Sequence, residues 1–121
     1  MNKKDKRYTD YAICSEMFET AEVIRDFDFN SVVPFLEMIK GFERVLLTGE
    51  GSSRIFPAKR TIAENGRTPG PMQLFTEGAT QALEYNLSKT AVIGASNSGR
   101  TKELIRLFKL VRERNSSIPL I

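Results

Sequence analysis

The chain contains no histidine and only one cysteine, Cys14, in 121 residues. With one thiol and no imidazole the usual zinc and iron ligand sets cannot be assembled within a single chain, so no metal is expected. A lone cysteine also excludes an internal disulfide and fits a reducing, cytoplasmic setting. Long uncharged apolar runs are missing as well. None approaches the ~18 residues of a membrane span, and the charged start lacks the apolar core of a secretory signal, so no membrane partner is expected. Nor does one charge sign dominate: 18 basic and 15 acidic residues, spread along the chain, give +3. That balance makes no case for nucleic acid. The one basic cluster, Lys3, Lys4, Lys6 and Arg7, reads as a solvated tail. Hydrophobic residues at 40% and charged residues at 27% are ordinary for one globular domain.

What is present begins with two apolar stripes. Tyr11, Cys14, Met17, Phe18, Ala21 and Ile24 recur at spacings of three and four, which predicts a helix over residues 8–26. Val32, Phe35, Leu36 and Ile39 form a shorter second helix, with Ser31 as its cap, Pro34 tolerated in the first turn and Gly41 at its end. From Arg44 short aliphatic runs alternate with helical patterns. Strands are expected at 44–48, 72–76, 90–95 and 118–121, and helices at about 54–65, 78–87 and 100–114. This alternation predicts an α/β fold of three layers, αβα, with a parallel sheet covered on both faces and strand 90–95 inside it. The division is a helical lead-in over 1–43 and a sheet domain over 44–121. Asn65 to Pro71 has the glycine and proline content of a surface loop. The apolar run Ile118 to Ile121 stops at the last residue, and the chain is expected to be the amino-terminal portion of a longer protein.

Two strand ends share an unusual grammar. Arg44-Val-Leu-Leu-Thr48 breaks into Gly49-Glu50-Gly51-Ser52-Ser53, and Thr90-Ala-Val-Ile-Gly-Ala95 breaks into Ser96-Asn97-Ser98-Gly99-Arg100-Thr101. A tight strand-to-helix turn needs glycine, and the helix that follows aims unpaired N–H groups and its positive dipole end into the turn. Hydroxyls add donors for oxygen, so a phosphate is the natural occupant. Ser96, Ser98 and Thr101 with the N–H groups around Gly99 can converge on one tetrahedral anion; helix capping alone would use the same residues. Gly49-Glu50-Gly51 is half of a dinucleotide fingerprint, but no third glycine follows and Phe56-Pro57 falls near its place. A Gly-Lys-Ser/Thr phosphate loop is absent too, and no cofactor is expected.

The pair of loops, about 40 residues apart, resembles the SIS (sugar isomerase) domain, a flavodoxin-like phosphosugar-binding fold. The signatures are G-x-G-S-S at Gly49 to Ser53 and S-x-S-G-x-T at Ser96 to Thr101, and the likeness covers residues 44–121. It implies a hexose or hexosamine phosphate as partner. Phosphate contacts fall to Ser96, Asn97 through its backbone, Ser98, Gly99 and Thr101, and sugar or phosphate contacts to Ser52 and Ser53. It also implies an aldose–ketose isomerase or amino-sugar-phosphate isomerase or deaminase whose fifth strand and catalytic groups lie beyond this chain, which alone would be inactive. A non-catalytic sugar-phosphate sensor is the alternative. The lead-in helices look like those of two-domain members such as the isomerase half of glucosamine-6-phosphate synthase.

Isomerisation needs a carboxylate to move a proton between adjacent carbons. Glu50, Glu64, Glu77 and Glu84 are the candidates within the chain; the resemblance favours Glu84, because glutamate-bearing helices lead into the phosphate-loop strand in this family. Glu64 and Glu77 read more simply as solvated carboxylates. Arg54 and Arg100 flank the loops and could grip a dianion. Apolar surface on residues 11–24 and beside Ile118 to Ile121 predicts a homo-oligomer.

Overall fold

The computed structural model describes residues 5–68 and 70–121. Lys3 and Lys4 of the expected basic tail, and Pro69 of the expected loop, lie outside them. The chain divides into two compact units, one reaching to Pro34 and one running from Phe35 to Ile121. The second unit thus takes in residues 35–43, ahead of the first strand. Ile39 and Phe42 join Val45 and Ala91 in a core of that unit.

In the first unit the expected helix over 8–26 is broken. Helix α1, Lys6–Thr9, is capped by Asp5, whose side chain accepts from the Arg7 N–H, and α2, Ala12–Asp26, restarts from an extended Tyr11. No residue of α2 is buried. A 3-10 turn over Phe29–Val32 follows, capped by Asp28 rather than by Ser31; the Ser31 hydroxyl donates to the Asp28 carbonyl instead. Helix α3 covers Val33–Ile39, with Pro34 in its first turn as expected.

The second unit is an α/β structure in which β1 (Arg44–Gly49), β2 (Gln73–Gly78) and β3 (Thr90–Ala95) run parallel in the order β2-β1-β3. Helix α4 (Gly51–Arg67) links β1 to β2, the short α5 (Ala79–Ala82) leads towards β3, and α6 (Lys102–Arg114) follows it. Leu46 and Val92 face a core built with Ala79, Ala82, Leu104, Leu107 and Val111 of α5 and α6. Val45 and Ala91 point to the opposite side, where Ile39 and, half-buried, Leu47, Leu74 and Ile93 pack. Helices on both faces complete the expected three layers.

Pro119 to Ile121 pairs parallel to β3 along the edge opposite β1: Val92 N–H donates to the Pro119 carbonyl at 3.0 Å and Gly94 N–H to Ile121 at 2.7 Å. Strand 90–95 is thus flanked on both edges, as expected. The fourth element is a single bridge rather than a strand, because three residues with a proline among them offer few ladder groups. Of the helices, α4 begins three residues earlier than expected and α5 ends five residues earlier. No helix among the described residues is long and apolar enough to cross a membrane.

Gly49 has φ +150, and a Cβ there would lie 2.4 Å from the Ala95 carbonyl oxygen, whereas a Cβ on Gly66 within α4 meets nothing within 4 Å. Gly49→Ala is expected to destabilise by on the order of 2–3 kcal/mol. Gly66→Ala should instead stabilise, by up to about 1 kcal/mol. Urea unfolding of both variants reads the opposite signs.

Candidate functional site

Register brings the two loops together. Gly49 pairs with Ala95 and with Gly78 across the ladder, so the turns after β1 and β3 leave adjacent strands at one level. The chain moves from β1 to β2 on one side and from β2 to β3 on the other. The carboxyl ends of β1 and β3 therefore form the topological switch point, the crevice where open α/β sheets bind ligands. Two hydroxyl bonds fasten this end of the sheet: Thr48 Oγ1 donates to the Glu77 carbonyl at 2.8 Å and Thr76 Oγ1 to Leu47 at 2.7 Å.

After β3 the turn is self-organised. Gly99 takes φ +64 and donates its N–H to Ser96 Oγ at 3.0 Å, while Arg100 N–H donates to Ser98 Oγ at 3.2 Å. These bonds hold residues 99 and 100 in the turn, so α6 begins at Lys102 rather than at 100. Thr101 is the N-cap, but its hydroxyl makes no cap bond; it lies 2.9 Å from Ser96 Oγ. The first-turn N–H groups of α6 therefore have no side-chain cap. Of three hydroxyl protons in the turn, one is shared between Ser96 and Thr101, which leaves two to donate elsewhere. Ser96 and Thr101 are half-buried, and Asn97, Ser98 and Gly99 are exposed.

The turn after β1 behaves alike. Gly51 takes φ +55 and Glu50 is the N-cap of α4, again without a side-chain cap bond. Ser52 and Ser53 fall inside the first turn of α4, not before it, and Ser53 is half-buried. Two uncapped helix starts thus open beside the switch point, each carrying positive dipole potential. Pro57, inside α4, has no N–H to return to the Ser53 carbonyl.

The carboxylates divide by place. Glu84 is exposed and lines a recess with Arg44 and Gln73, the first residues of β1 and β2, away from the loops at the strands' carboxyl ends. Glu64 pairs with Arg60 and Arg67 on the surface of α4, each at 2.7 Å. Glu50 reaches from the end of β1 to the end of β2 and accepts from the Ala79 N–H at 3.1 Å. Glu77 is half-buried and accepts from Gly78 N–H at 2.9 Å and from Tyr85 OH at 3.0 Å. The Gly78 N–H first and the Tyr85 hydroxyl second hold its carboxyl below the usual range, and the nearby Arg54 guanidinium adds to this. The same bond raises the Tyr85 phenol above its usual value. Arg54 also buries its Nε without a hydrogen-bond partner among the described residues. Arg100 is exposed. Tyr85 was not legible as a site residue, because nothing local signals a bond back across a strand end.

Scanned against models of known families the chain matches none, and no characterised protein matches it in sequence.

Tyr85→Phe removes one of the two bonds that favour ionised Glu77. The Glu77 titration midpoint, followed by carbon NMR, should rise but stay below an ordinary glutamate, since the Gly78 N–H persists. A depressed carboxylate stabilises the fold above its unfolded pKa and loses that contribution as pH falls through the folded one. The variant should therefore lose less stability on acidification than the parent.

Proposed function

We propose that the chain binds a sugar phosphate, with the phosphoryl group received by Ser96, Ser98, Thr101 and the backbone N–H groups from Asn97 into the first turn of α6. The observation that carries this reading is the Thr101 hydroxyl, which turns back to Ser96 instead of capping its helix. A turn built for capping would spend its hydroxyls on the helix N–H groups; here one proton bridges Ser96 and Thr101, and the turn's other two hydroxyl protons are left for an anion. Ser52 and Ser53, at the start of α4 and next to the same crevice, face the sugar.

Within this chain the chemistry we assign is binding. Glu77 is held ionised by two donors, so it is not poised near neutral pH to shuttle a proton, and Glu50 already accepts from the Ala79 N–H. Membership of an aldose–ketose isomerase would place the proton-moving groups elsewhere. The engaged carboxylates favour, as second reading, a sensor that binds a hexose or hexosamine phosphate without turning it over.

Each hydrogen bond lost to a charged group costs on the order of 1.5–3 kcal/mol. Ser98→Ala should therefore weaken glucosamine-6-phosphate roughly tenfold or more in calorimetric titration, where about 1.4 kcal/mol is tenfold. Its melting point should move little, since the variant loses only one bond in an exposed turn. A lower melting point with unchanged affinity would show capping instead.

A further inference from the structure

The sugar-phosphate reading leaves one charged group at the strand ends without a task. Glu50, between the two glycines of the β1 turn, is the N-cap of α4 but makes no cap bond; its Oε1 accepts from the Ala79 N–H at 3.1 Å instead. Glu77, which takes the preceding N–H, spends both oxygens, one on Gly78 and one on the Tyr85 hydroxyl. The Glu50 Oε2 accepts no hydrogen bond among the described residues, and the side chain is exposed. One oxygen is fixed and the other is left open.

Position gives that open oxygen a role. The strand ends stand in the order β2-β1-β3, level in register, so the start of α5 and the 96–101 turn lie two strand spacings apart, ~9.6 Å. A hexose 6-phosphate held at the 96–101 turn and laid over Ser52 and Ser53 carries its carbon 1 and carbon 2 substituents towards Glu50. One hydrogen bond of ~2.8 Å closes the rest of the distance. A carboxylate is the wrong sign for a phosphate, and it repels any ligand that is anionic along its whole length. It accepts from a hydroxyl or, about twice as strongly, from an ammonium.

We propose that Glu50 is the specificity-determining residue of the site: it reads the end of the sugar remote from the phosphate, gripping a cationic group there and rejecting an anionic one. Discrimination of this kind comes as much from repelling the wrong ligand as from attracting the right one. The inference rests on the sugar-phosphate reading and deepens it by ranking ligands that share one phosphoryl group.

Glucosamine-6-phosphate, glucose-6-phosphate and 6-phosphogluconate are alike in the phosphate and cationic, neutral and anionic at the far end. Calorimetric titration of the full chain should rank them in that order. Glu50→Gln keeps an oxygen for the Ala79 N–H and removes the charge. It should weaken glucosamine-6-phosphate roughly three- to tenfold and tighten 6-phosphogluconate by a similar factor, as one fixed but solvated charge contact does. Inorganic phosphate, which has no far end, should bind parent and variant alike. If Glu50 only holds its loop in place, Glu50→Gln matches the parent for every ligand while Glu50→Ala weakens all three sugars together; that result overturns the proposal. A parent that binds none of these phosphates overturns the sugar-phosphate reading and this inference with it. A parent that binds them, with the ranking unchanged in Glu50→Gln, overturns this inference alone.

Discussion

The side-chain-free approach of Gly49 to the Ala95 carbonyl sets the geometry on which the site depends. Parallel strands in register must end at one level for their loops to share a ligand, and at this level a Cβ on Gly49 would lie 2.4 Å from that oxygen. Glycine lets the β1 backbone turn away at φ +150 directly beside β3. From that turn follow the start of α4 at Gly51, the place of Ser52 and Ser53 in its first turn, and the opening of two helix starts on one crevice. Gly94, the residue before Ala95 in β3, lets α6 pack closely on the sheet: a Cβ there would meet the side-chain ends of Leu104 and Phe108 at 2.7 and 2.8 Å and force them to shift.

Polar groups at this end of the sheet fall into two sets. One set is consumed in holding the crevice: Thr48, Thr76, Glu50, Glu77 and Tyr85 bond across strands and to the start of α5. The other set is left with donors to spare, namely the hydroxyls of the 96–101 turn and the uncapped N–H groups of two helices. Spare donors and positive dipole ends suit a dianion. Carboxylates already hydrogen-bonded suit a rigid wall more than a proton relay.

Much of this was legible in the sequence, for reasons that differ by element. Val45 to Leu47 and Ala91 to Ile93 are apolar on successive residues, which marks strands buried on both faces, and the parallel sheet follows. The loops were legible because glycine and serine at strand ends have few other uses. Helix boundaries were not, since they turned on local competition for N–H groups. Ser96 and Ser98 keep Gly99 and Arg100 out of α6, and Asn86, which accepts from Ser88 N–H and gives its carbonyl to Arg44, belongs to the turn that follows the short α5. The recess that holds Glu84, and the bond between Tyr85 and Glu77, depend on how a turn folds back along the sheet, which no local spacing encodes. Tyr11 and Asp10 break an apolar stripe that by periodicity alone runs on as one helix.

The central claim is that a phosphoryl group is received by the turn between β3 and α6. Amide nitrogen and proton shifts of the isotopically labelled chain, titrated with glucosamine-6-phosphate, address it residue by residue. The account requires the largest shifts at Asn97 to Leu104, smaller ones at Ser52 and Ser53, and displacement of the sugar phosphate by excess inorganic phosphate. Silence in residues 97–104, or shifts confined to the recess around Glu84 and Asn86, would contradict it.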